Sequence, residues 1–246
     1  MTVPQTVPAP STTTPRSIYD LVVALFCGLL LISNVSATKL IQFGPSWEVN
    51  GFPVLPIITD GGAFLFPLTY ILGDILAEVY GLKKAHRAIW TGFALAFLMS
   101  ITFAVVAAAP PADGWPNNDA WNAVLGFVPR IVVASLAGYL AGQFLNALVL
   151  VKIRERFGTK RLWVRLIGST IVGEFADTLV FCLIAFGPLG AFMGGGSIDL
   201  GPLVNYIVVG FVYKVTIEVA FLPVTYRVIP WVRRREGLEL EPPVHR

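Results

Sequence analysis

Six stretches of mostly apolar residues run along the chain, at 18–38, 62–80, 88–109, 130–151, 166–186 and 203–228. A hydrocarbon core of about 30 Å is crossed by about 20 apolar residues in a helix. The runs lack the period-two alternation of a membrane β-barrel, so the pattern predicts an all-α integral membrane protein with six transmembrane helices. Gly and Pro inside several runs fit membrane helices, which tolerate both. Residues 40–61, 110–129 and 187–202 are predicted as loops on one side. The charged stretch 152–165, with Gly158, is predicted as a linker between two three-helix halves. The middle helix of each half carries a similar polar set: Thr69, Gly73, Asp74 and Glu78 in one, Thr170, Gly173, Glu174 and Asp177 in the other. Three helices per half is odd, so the halves are expected to be inverted repeats. Residues 1–17, rich in Thr, Pro and Ser, are expected to form a disordered tail. The transmembrane domain covers 18–236, and 237–246 form a second tail. Val35-Ser36-Ala37 resembles a signal cleavage site, but a nearly uncharged leader followed by five more spans argues against cleavage.

Charge sets the orientation. Of the 18 basic residues only Lys39, Arg130 and Lys214 fall outside segments that the six spans place on one side. Basic residues collect in the cytoplasm, so both termini are expected there, in a multi-pass protein of a bacterial inner membrane. With 55% hydrophobic residues, 13% charged residues and a mean hydropathy of +0.72, the chain cannot coat a soluble globule. A net charge of +3, scattered, gives no reason to expect nucleic acid. Cys27 and Cys182 lie in apolar runs and read as buried hydrophobes, so no metal and no cofactor is expected.

The informative residues are ionisable ones inside the spans, where a charge costs at least about 2.5–3.5 kcal/mol. Asp74 and Glu78 are four apart, Glu174 and Asp177 three apart, and Lys214 and Glu218 four apart, so each pair shares a helix face. Asn34 and Lys39 lie on the first helix, and Gln143 and Asn146 on the fourth. Catalysis finds little support. The two histidines, His86 and His245, fall outside the spans, and neither a zinc-protease motif nor a phosphate-binding loop is present. Binding fits better, because a carboxylate accepts two parallel hydrogen bonds, such as those from the N–H and NH2 of a guanine-like edge. Phe66, Tyr70, Trp90 and Phe181 are candidates to stack on a flat ring. The residues point to a cationic or donor-rich solute.

More specific runs follow. They are Phe66-Pro67-Leu68-Thr69-Tyr70, Gly73-Asp74 and Ala77-Glu78-Val79-Tyr80-Gly81, preceded by Asn34 and Thr38-Lys39. Later come Asp177-Thr178-Leu179-Val180-Phe181, Ile184-Ala185-Phe186, Tyr213-Lys214 and, after Glu218, Pro223-Val224-Thr225-Tyr226-Arg227. Together, over about 18–236, they resemble the signature of the queuosine-precursor transporters, a branch of the vitamin-uptake transporter family. The resemblance implies import of a 7-deazaguanine, the 7-cyano or 7-aminomethyl compound. It also implies a fold similar to the substrate-binding subunits of energy-coupling-factor transporters, without their ATPase module. Asp74, Glu78 and Asp177 match the family's acidic positions, and Asn34, Lys39 and Lys214 its polar ones. Glu174 stands where a Gln is expected. On this reading Asp74 or Asp177 accepts from the amino-pyrimidinone edge, and Lys214, oriented by Glu218, donates to the ring carbonyl or neutralises an acid. Asn34 and Thr38 assist, and Glu78 or Glu174 is a candidate proton carrier. The alternatives are a binding subunit of an ATP-driven uptake system and a secondary transporter of another flat or cationic solute.

Overall fold

The computed structural model describes residues 17–49, 52–157, 162–191 and 196–238. Of the tails expected at 1–17 and 237–246, residues 1–16 and 239–246 lie outside the described residues. Helix α1, Tyr19–Ser36, begins with Asp20 in its first turn, where the helix dipole favours an acid. A β-hairpin follows, of strands β1 (Leu40–Val49) and β2 (Phe52–Asp60), antiparallel with Leu40 opposite Asp60. This corrects the expectation of an irregular loop. Pro45, Pro53 and Pro56 argue against a central strand, but in a two-stranded sheet every strand has an open edge that accommodates proline.

A 3-10 turn, Gly61–Phe64, leads into α2, Phe66–Tyr80, with Pro67 in its first turn. Gly81, at φ 83°, ends α2 in a conformation that favours glycine, and α3, Leu82–Ala108, starts at once. Its start is six residues earlier than the apolar run implied. Then come α4 (Asn118–Leu125), α5 (Val128–Phe157), α6 (Leu162–Ala185), the short α7 (Pro188–Ala191) and α8 (Leu200–Arg235). The expected linker at 152–165 is therefore mostly helix: α5 and α6 carry their charged ends beyond the apolar runs. Helices α1, α3, α5, α6 and α8 are long and apolar enough to cross a membrane. Helix α2, at 15 residues, extends about 22 Å and is the short member of the bundle.

The first three long helices and the last three pack differently. Helices α1, α2 and α3 all touch one another, whereas α5 and α6 form a close hairpin with α8 laid on α6 and α2. Glycines set that closeness: a methyl on Gly142 would come within 2.9 Å of the Gly173 carbonyl. Large apolar side chains such as Phe97, Leu98 and Phe144 remain exposed on the outer surface, as a lipid-solvated bundle requires.

The bundle has two distinct ends. At one, Glu236 accepts from the Ile18 backbone N–H at 2.7 Å and the Tyr80 hydroxyl at 2.8 Å, tying the start of α1 and the end of α2 to the end of α8. Burial alone would raise the Glu236 carboxyl, but these hydrogen bonds, with one from Ser17 and the nearby Lys84, hold it below the usual range. At the other end, buried Arg130 donates to the carbonyls of Ile184 (2.9 Å) and Gly196 (2.9 Å), capping α6 with a cation. There too the hairpin is fastened to α8, by the Ile58 N–H on the Asn205 side-chain oxygen at 3.2 Å.

Candidate functional site

Between these ends α1, α2, α3, α5, α6 and α8 surround a cavity of about 470 Å³. That volume suits a small heterocycle. Helix periodicity aims the polar residues inward. Gly73 and Asp74 of α2, Glu174 and Asp177 of α6, and Lys214 and Glu218 of α8 all line the cavity. One wall carries Phe93 and Tyr139, their ring centroids 5.2 Å apart, and Phe181, Tyr206 and Tyr213 add further ring surface.

Lys214 forms its ion pair across helices, with Asp177 of α6. Glu218, expected to orient Lys214 from one turn along α8, lines the same cavity. Gly138 of α5 makes room for Asp177, since a methyl there would approach its Oδ1 to 2.7 Å. Glu174 has an oxygen, Oε2, with neither accessible surface nor a hydrogen-bond partner, and the Asn146 side-chain oxygen on α5 is in the same state.

The other sequence-predicted residues lie elsewhere. Asn34 is buried beside the cavity, its amide donating to the Leu30 carbonyl at 2.8 Å and its oxygen accepting from Ser135 at 3.1 Å. Leu30 and Ser135 do line the cavity, so Asn34 supports its wall. Thr38 donates to the Val35 carbonyl at 2.8 Å within its own chain segment. Lys39 is exposed just past α1. Glu78 is also exposed, 3.8 Å from Arg233, in the last turn of α2. Trp90 points outward, 56% exposed. The side chains of Phe66 and Tyr70 lie outside the described residues.

Sequence reasoning missed Asp60. It sits at the end of β2 rather than in a span, yet it is buried and lines the cavity. Its carboxylate accepts from the Gly62 N–H at 2.6 Å and from the buried Tyr206 hydroxyl of α8. Tyr213 adds a hydrogen bond of 2.9 Å to the Ala63 carbonyl. These contacts close the hairpin end of the cavity. The opposite end is lined by the exposed Leu82 and His86 of α3, so the cavity opens there. The signal available in the sequence was Asp60-Gly61-Gly62, an acid directly before a glycine turn. Among the described residues no group of His, Cys, Asp and Glu is arranged to hold a metal ion.

A family model described as "Putative vitamin uptake transporter" matches residues 60–228, beginning at the buried Asp60 and ending within α8. The "Queuosine precursor transporter" of Escherichia coli (strain K12) is 31% identical over 178 residues, 72% of this chain and 75% of that protein. The "Probable queuosine precursor transporter" of Bacillus subtilis (strain 168) is 32% identical over 126 residues, 51% of this chain and 55% of that protein. Its namesake in Haemophilus influenzae is 30% identical over 125 residues, 51% of each. The chain thus spans about half the length of the latter two relatives and three quarters of the first. No solved structure matches it. The matched region holds the Asp177–Lys214 pair and every carboxylate of the cavity, and the chain belongs to the vitamin uptake transporter family.

Proposed function

We propose that the chain imports a 7-deazaguanine precursor of queuosine, the 7-cyano or 7-aminomethyl compound, across the bacterial cytoplasmic membrane. The observation that carries this reading is the cavity, open at one end within a membrane bundle: aromatic walls, a carboxylate on each of α2, α6 and α8, and one lysine. The names of the relatives support the substrate. A flat ring fits beside Phe93 and Tyr139. Asp74 accepts the parallel N–H donors of the amino-pyrimidinone edge, and Lys214, held by Asp177, donates to the ring carbonyl. Both termini are cytoplasmic in this reading, since Lys83, Lys84, Arg87 and Arg233–Arg235 gather at the end where α1 begins and α8 finishes. The open end of the cavity then faces the cytoplasm, and uptake requires the Asp60–Tyr206 end to open in turn.

The test is uptake of labelled precursor by the purified chain alone in liposomes. Saturable uptake, competed by unlabelled precursor, is expected. Binding without uptake would instead make the chain the binding subunit of an ATP-driven system. Neither binding nor uptake would reject the substrate.

A further inference from the structure

The end of α8 presents its arginines in two ways. Arg233 is turned toward the bundle and donates to the Glu78 carbonyl at 2.7 Å. Arg227, Arg234 and Arg235 are exposed, and among the described residues none of the three guanidinium groups has a hydrogen-bond or ion-pair partner. Glu236, the adjacent acid, is spent on Ile18 and Tyr80. Helix periodicity gathers the exposed cations. Thr225 and Val232 are buried and mark the packed face of α8. Arg227, Trp231 and Arg234, spaced by a turn each, lie on the far side, and Arg235 sits over the Trp231 ring, 5.7 Å from its centroid. Toward the middle of the helix the exposed surface continues as Val219, Leu222, Val224 and Tyr226, without a charge. At 36 residues α8 is about 54 Å long, so it outreaches a hydrocarbon core of about 30 Å and carries its charged end to headgroup level.

Two simpler roles leave this arrangement unexplained. Cations favour a helix C-terminus. Yet Arg227 lies about two turns before the end of α8, and the carbonyls of Val232, Arg233 and Arg234 already accept from the backbone N–H groups of Glu236, Leu238 and Gly237. Membrane topology requires positive charge on one side, but not its collection around a tryptophan on one helix face. A soluble anion would have no use for the apolar strip that adjoins the arginines. An anionic phospholipid matches both parts: its phosphate meets the guanidinium groups, and its acyl chains meet the strip.

We infer that the outward face of the end of α8 is a docking site for an anionic phospholipid, with Arg227, Arg234 and Arg235 around its phosphate and Trp231 at headgroup depth. The site is separate from the transport cavity. It is tested on the purified full-length chain by native mass spectrometry in detergent, with phosphatidylglycerol and phosphatidylcholine of identical acyl chains. The wild type is expected to bind phosphatidylglycerol at least about tenfold more tightly, as two or more arginines near a charged headgroup provide. Arg227→Gln with Arg234→Gln should bring the ratio toward one. Lys83→Gln with Arg87→Gln, which removes the same charge from the exposed start of α3, should leave most of the preference. Arg227→Lys with Arg234→Lys should also keep it, and melting without added lipid shows that each variant is folded. Equal binding of the two lipids by the wild type overturns the inference. So does equal loss of preference in the two Gln variants, because the charge of the whole end would then be acting. Displacement of phosphatidylglycerol from the wild type by excess inorganic phosphate overturns it as well, since the site would then be one for a soluble anion.

Discussion

Helices α2 and α6 carry pairs of acids that look equivalent in the sequence, yet the bundle uses them differently. In α2 the pair is divided: Asp74 lines the cavity, while Glu78 sits in the last turn, 65% exposed beside Arg233. In α6 both Glu174 and Asp177 line the cavity, and Asp177 is tied to Lys214. The cause is length. Helix α2 ends at Tyr80, two residues past Glu78, whereas α6 continues to Ala185, eight residues past Asp177. Spacing along a helix fixes which face a residue shares, and the helix ends fix its depth.

Removing the cross-helix cation should show the α6 side most strongly. Lys214→Met leaves Asp177 unpaired and is expected to cost about 2–4 kcal/mol of stability, less than for a fully sealed pair because the cavity admits some water. Thermal unfolding in detergent measures this. The double variant Asp177→Leu with Lys214→Met should regain most of that stability while remaining inactive in uptake. Next comes the wall behind Asp177. Gly142→Leu forces α5 away from the Gly173 carbonyl and should cost about 1–3 kcal/mol, read in the same way.

On the α2 side the expected effects are smaller. Glu236→Gln weakens the tie to Tyr80 and Ile18 by about 1 kcal/mol at neutral pH. Because the folded protein holds this carboxyl below its usual range, its contribution is full above that range and is lost as pH falls through the depressed value. The difference in melting temperature between wild type and Glu236→Gln should therefore shrink below about pH 4. Glu78→Gln should change stability by less than about 0.5 kcal/mol, as befits an exposed ion pair.

The same contrast explains what could be read from the chain. The spans were legible because apolar runs of membrane length have few other meanings, and Asp74, Glu174, Asp177 and Lys214 because charge within such a run is costly. Glu78 shows the limit: its run does not say where α2 stops. Asp60 and the hairpin were hidden for a different reason. Their significance arises from Tyr206, Asn205 and Tyr213, almost 150 residues later, and proline-containing strands outside the spans give no periodic signal. The helical extensions of α5 and α6 were hidden because charged residues such as Arg154 and Glu155 suit a linker and a helix leaving the membrane equally well. The ring wall of Phe93 and Tyr139 could not be separated by composition from rings that face lipid, such as Trp90.

The division of α2 is the most direct point of attack. Uptake of labelled 7-deazaguanine precursor into liposomes should be compared for wild type, Asp74→Asn and Glu78→Gln, reconstituted in equal folded amounts. Uptake reduced at least about tenfold by Asp74→Asn, and changed less than about twofold by Glu78→Gln, is the result this account predicts. Normal uptake by Asp74→Asn, or equal loss in both variants, would contradict it.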